Sequence, residues 1–167
     1  KSKKLLNSLP YPNVPDATVT GFFISIPAKF AKGGKTMSKT IMSKNKFINQ
    51  WLRCFATDID KKELQRCFAD KFVWHIFSYK LLDSETFLVG DAARLAYDQA
   101  DKSSCLFCDM YGKSGVTDIL SDEYSSSSKI DSEIRELYVV SKDYSWTYIK
   151  THENDNCGPY FYRRIQS

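Results

Sequence analysis

A chain of 167 residues has the size of one domain, or one domain with an arm, and buries enough surface to fold without a disulfide or a metal. An aromatic share of 14% excludes a disordered chain, and no stretch approaches the ~18 consecutive apolar residues of a membrane span. The net charge of +4 hides a split: residues 1–46 carry nine lysines and one acid, whereas residues 47–167 carry 15 Lys and Arg against 19 Asp and Glu, a balance of −4.

The first 42 residues differ in character from the rest. Pro10, Pro12 and Pro15 forbid a helix there. Thr18-Val-Thr-Gly-Phe-Phe-Ile-Ser-Ile26 reads as a strand closed by Pro27. Gly33-Gly34-Lys35-Thr36 is no phosphate loop, because Lys29 stands where that loop needs its first glycine. Residues 1–42 are therefore expected to be a basic arm or fused segment, and 43–167 an independent domain. Leu5-Leu6 is too short an apolar core for a signal peptide.

From Ser43 the helical period appears. Phe47, Ile48, Trp51, Leu52 and Phe55 share one face, with Ser43 or Asn45 as cap. Thr57 or Asp58 is expected to cap a second helix whose inner side is Leu64, Cys67 and Phe68. Phe72-Val-Trp-His-Ile-Phe-Ser-Tyr79 is apolar nearly throughout and reads as a buried helix running on from Lys71. Gly90-Asp91 opens a third clear helix with Ala92, Leu95, Ala96 and Gln99 inward.

The pattern then turns to strands. Ser104 to Tyr111 is one. Ser121 to Ile134, with four consecutive serines, reads as a mobile loop leading into a short helix. Glu136 to Ser141 and Tyr144 to Thr151 form a hairpin across a two-residue turn, Lys142-Asp143. Gly158-Pro159 turns the chain into Tyr160-Phe-Tyr-Arg163. Helices first and antiparallel strands later predict an α+β fold: about three helices packed on a small antiparallel sheet, preceded by the arm with its one strand.

Phe72 to Tyr79, Tyr138-Val-Val140, Trp146 to Glu153 and Cys157-Gly-Pro-Tyr-Phe-Tyr162 together resemble a family of small proteins from Bacillus-type bacteria, a domain of unknown function. The resemblance covers roughly residues 43–165 and leaves the arm out. It implies no activity and no catalytic residues.

Five cysteines and no secretory signal predict reduced thiols and a cytoplasmic setting. Cys105-Leu-Phe-Cys108 has zinc-pair spacing, and His152 and Cys157 would complete a four-ligand set. Within a strand, however, residues three apart point to opposite faces. No metal and no cofactor are expected. His75 sits in an apolar run as a hydrogen-bonded ring. His152-Glu153 lies where a strand meets a loop, and the two groups converge only if the strand ends at Thr151. Cys157 is a possible thiol nucleophile with His152 or His75 as its base. Tyr144, Trp146 and Tyr148 alternate along one strand and so share a face, with Tyr160 and Tyr162 adjacent. That face is either core or an exposed platform beside Lys150, Arg163 and Arg164.

Three functions follow as expectations. The first is non-enzymatic binding of another protein, inhibitor-like or immunity-like, through Trp146, Tyr148, Tyr160, Glu153 and Arg163. The second is a small hydrolase or transferase using His152, Glu153 and Cys157, with His75 in support. The third is nucleic-acid binding by the arm and the aromatic strand. Residues 18–26 are also a candidate for pairing with a second copy, and no membrane partner is expected.

Overall fold

The computed structural model describes residues 40–153 and 156–164. The expected arm strand at 18–26, and the pairing with a second copy that rests on it, lie outside these residues. Ile41 and Met42, assigned above to the arm, are joined to the body: the Ile41 amide donates to the Val116 carbonyl at 2.8 Å, and the Val116 amide donates to Met42 at 3.0 Å.

Helix α1 spans Lys44–Phe55, and the Ser43 hydroxyl accepts from the Lys46 amide as its cap. Its apolar positions recur at helical spacing, so Phe47, Ile48, Trp51 and Phe55 are all buried. Helix α2 spans Lys61–Arg66 and is capped by Asp60, not by Thr57 or Asp58. Cys67 faces inward as expected, but Phe68 has φ 53° and is 56% exposed, because the left-handed turn throws its ring outward. The apolar run at 72–79 contributes a single helical turn, α3, His75–Ser78.

Strand β1, Phe87–Val89, was not anticipated. Gly90, with φ 63°, leads it straight into helix α4, Asp91–Gln99. The buried residues of α4 are Ala93 and Tyr97, whereas Leu95 is 58% exposed. The expected inner face was thus rotated: the bulk of Tyr97 decides the orientation. Strand β2 is Cys105–Asp109. The serine-rich segment is pinned rather than loose. Tyr124 stacks on Phe107 at 5.1 Å, and Asp98 accepts from both the amide and the hydroxyl of Ser127. Ser126 then caps helix α5, Ser127–Glu133.

Strands β3 (Leu137–Ser141), β4 (Trp146–Lys150) and β5 (Tyr160–Arg163) complete a five-stranded antiparallel sheet in the order β1-β5-β4-β3-β2. The β3–β4 connection runs over 142–145, longer than the two residues expected. Tyr144 takes φ 57° there, and the Asp143 carboxylate accepts from the Ser145 amide and hydroxyl.

Both faces of this sheet are covered. On one, α1 and α3 bring Phe47, Trp51, Ile76 and Phe77 against Leu106, Cys108, Tyr138, Val140, Ile149 and Tyr160. On the other, α4 and α5 bring Ala93, Tyr97 and Ile130 against Cys105, Phe107, Val139, Trp146, Tyr148 and Phe161. The α+β class therefore holds, with helices on two faces. Even polar residues of the central strands are enclosed. The Lys150 ammonium donates to the carbonyls of Ile130, Asp131 and Ile134 at the end of α5, and burial lowers its pKa below the ordinary lysine value.

Candidate functional site

The sequence-predicted binding residues fall on both sides of the sheet. Trp146 and Tyr148 belong to the α4–α5 core, where Trp146 stacks on Phe161 and Tyr148 on Tyr97. Tyr160 pairs with Ile149, and so lies on the opposite face, in the α1–α3 core with Tyr144. Tyr144 leaves the expected alternation because its left-handed backbone lies before β4 begins. Trp146, Tyr148 and Tyr160 are 6%, 0% and 5% exposed, so they build the cores and offer no platform to a partner or a nucleic acid. Lys150 is withdrawn in the same way. Arg163 remains exposed at the end of β5, its guanidinium 5.3 Å from the Phe161 ring centre.

Cys105 and Cys108 point to opposite faces, one into each core. Among the described residues no group of three His, Cys, Asp or Glu is placed to hold a metal ion. Burial pushes the Cys105 thiol up to about 11 and the Cys108 thiol up to about 12, from an ordinary value of 9.0. Raised thiol pKa values favour the folded state below pH 9.0 and cease to do so as pH climbs through about 11 and 12. Reactivity follows, since the thiolate is the nucleophile. Iodoacetamide at pH 8 is expected to leave both cysteines unlabelled in the native chain and to label both in urea. Mass mapping that finds either one labelled under native conditions would contradict their burial.

The two histidines stand in one aromatic cluster. His75 lies on α3, and its Nδ1 donates to the Cys67 carbonyl. His152 lies in the turn after β4 ends at Lys150, and its Nδ1 donates to Glu136 Oε2. The other oxygen of Glu136 accepts from the Tyr138 hydroxyl. Glu136 is 1% exposed and Tyr138 is fully buried. A buried carboxylate is costly unless its lone pairs are met, and here two donors meet them. A ring nitrogen bonded to a carbonyl or carboxylate oxygen must carry a proton, so Nδ1 is the donor in both imidazoles.

Trp74 and Phe72 link the two rings. Trp74 lies 4.2 Å from His75 and 5.6 Å from His152 between ring centres, and Phe72 lies 5.2 Å and 5.8 Å from them. Trp74 Nε1 is buried without a hydrogen-bond partner. Tyr79 flanks His75 at 5.3 Å, Tyr111 flanks His152 at 5.9 Å, and the Arg135 guanidinium lies 4.2 Å over the Tyr111 ring.

The expected trio of His152, Glu153 and Cys157 is not assembled by hydrogen bonds. His152 Nε2 stands 4.0 Å from Glu153 Oε1, beyond hydrogen-bond length. Among the described residues no hydrogen bond joins Cys157 to either histidine; its thiol neighbours the Tyr160 hydroxyl instead. The histidine's true carboxylate is Glu136, sixteen positions earlier in the chain. One signal for it stood in the sequence: an acid at an inward-facing position, two residues before Tyr138, at the mouth of an apolar strand. Apart from this cluster, a cleft of about 380 Å³ lies between the 112–115 loop and Tyr124, and neither histidine lines it.

No helix among the described residues is long and apolar enough to cross a membrane. No curated protein and no solved structure matches the chain. A family match covers residues 32–161, well over half of the sequence, and on that match the chain belongs to the family described as Domain of unknown function (DUF4275).

Proposed function

We propose that this chain is a cytoplasmic protein-binding domain of the inhibitor or immunity kind, acting without catalysis, and that it meets its partner through the aromatic–histidine face. One observation carries the reading. Tyr79 and Tyr111 are 57% and 49% exposed, and each is packed against one of the two imidazoles on a base of buried Trp74 and Glu136. Half-exposed tyrosines beside an arginine, backed by buried side chains, have the composition of interface hot spots. A rigid ring also loses little conformational entropy on docking.

The test is affinity capture on the immobilised full chain, wild type beside a Tyr79→Ala/Tyr111→Ala double variant of unchanged circular dichroism. The variant is expected to hold the partner about tenfold or more weakly. Equal retention by both chains, or nothing specifically retained by the wild type, would remove the reading.

A further inference from the structure

Resting on that reading, we infer that Lys44 is a positioning residue of the partner-binding face: its ammonium fixes the backbone that carries Tyr111 and so holds that ring ready for a partner. Residues 110–115 lie in no helix and no strand, so no regular ladder orders the backbone there. Two charged side chains supply the bonds instead. The Lys44 ammonium donates to the Met110 carbonyl at 3.0 Å and to the Gly112 carbonyl at 2.6 Å. The Asp109 carboxylate accepts from the Tyr111 amide at 3.0 Å and from the Gly112 amide at 2.9 Å. Tyr111 is thus bracketed by bonds to the peptide groups on either side of it. Asp109 makes a local turn. Lys44 is the long-range partner, reaching the loop from the first turn of α1, 66 positions before Met110.

The loop is tied to the rest of the face. The Met110 amide donates to the Glu136 carbonyl at 3.0 Å, and the Glu136 side chain accepts from His152. The Tyr111 ring lies 5.9 Å from the His152 ring, with the Arg135 guanidinium 4.2 Å over it. The segment that leads into α1 is anchored beside the same loop. Ile41 and Met42 pair with Val116, and a Cβ on Gly115 would stand 2.7 Å from the Met42 carbonyl, so the two backbones are in close contact. Lys44 therefore enters from a fixed backbone. By sequence it belongs to the basic stretch 1–46, yet among the described residues its ammonium meets two neutral carbonyls and no carboxylate. A ring that is ordered before docking avoids the entropy loss that a mobile side chain meets on binding.

The chain holds only two histidines, and Tyr111 flanks one while Tyr79 flanks the other. An aromatic ring shifts the resonances of protons on a neighbouring ring, so imidazole proton NMR of the full chain at one fixed pH reads the place of Tyr111 without a partner. Lys44→Met keeps the aliphatic stem and removes the donors. It is expected to move the His152 resonances in the same direction as Tyr111→Ala does, to leave those of His75 in place, and to weaken partner capture about threefold to tenfold. Lys44→Gln, whose amide still donates to one carbonyl, is expected to fall between Lys44→Met and wild type. His152 resonances at their wild-type positions in both variants would overturn the inference. So would equal displacement of both histidines, which would mean a general loosening of the face. Capture weakened by Tyr79→Ala/Tyr111→Ala but untouched by Lys44→Met would overturn it and leave the docking reading intact. Should the tyrosine pair leave capture unchanged, the docking reading falls and takes the partner role of Lys44 with it, while a displaced His152 signature keeps Lys44 as the residue that sets the Tyr111 loop.

Discussion

Replacing Glu136 with alanine is expected to lower the unfolding free energy by about 3–5 kcal/mol, because two hydrogen bonds to a buried carboxylate are lost together. Glu136 is 1% exposed, and its two oxygens take the protons of Tyr138 and His152. Alanine leaves the fully buried Tyr138 hydroxyl without an acceptor and frees the His152 ring from its anchor. Each orphaned buried donor costs about 1–3 kcal/mol, so the two losses account for most of the expected total. Two milder variants separate them. Tyr138→Phe removes one donor and leaves the other bond intact, at about 1 kcal/mol. Glu136→Gln keeps one acceptor oxygen and falls between. Urea unfolding reads the series as shifts in midpoint at constant slope. A Glu136→Ala chain within about 1 kcal/mol of wild type would mean that water reaches the carboxylate, and the rigid base assigned to the His152 face would go with it.

The two levels of the fold were unequally legible. Helix α1 could be read because Phe47, Ile48, Trp51 and Phe55 repeat at helical spacing with polar residues between them. The opposite orientations of Cys105 and Cys108 followed from the strand period alone. The facing of β4 could not be read the same way. Alternation tells core from solvent only when one face is wet, and here both faces are covered. Thr147 and Lys150 are therefore as buried as Trp146 and Tyr148, at 1% and 5% exposure. The site divided similarly. His152 and Glu153 were visible as a polar pair where a strand ends. Glu136 was not, because its pairing depends on register: β3 and β4 match Leu137 to Lys150, and one step further brings Glu136 beside the 151–153 turn. Sequence spacing along a single segment carries no record of that step. The hydrogen-bonded partner of His152 is thus an acid that spacing along its own segment could not name.

Trp51→Ala is the second large effect, expected at about 3–5 kcal/mol. The indole is fully buried under α1, 5.0 Å from Phe55 and 6.1 Å from Phe77 between ring centres. Truncation removes its apolar contacts and opens a cavity between the helix and the central strands. The ring also has a directional role. Trp51 Nε1 donates to Thr147 Oγ1 at 3.0 Å, and that hydroxyl donates onward to the Val139 carbonyl at 2.9 Å. Helix, β4 and β3 are therefore tied by one short chain of donors. Trp51→Phe keeps most of the buried area and breaks only the first link, leaving Thr147 its own bond to Val139, so about 1 kcal/mol is expected. Thr147→Val is worse for its size. It orphans the buried indole N–H, at about 1–3 kcal/mol. In the double variant Trp51→Phe/Thr147→Val no buried donor is left over, so the combined loss should fall short of the sum of the two. Additive losses would show that the indole and the hydroxyl do not meet in solution. A Trp51→Ala chain as stable as wild type would show more: that α1 does not close the first face of the sheet, and that only the α4–α5 side of the fold is a packed core.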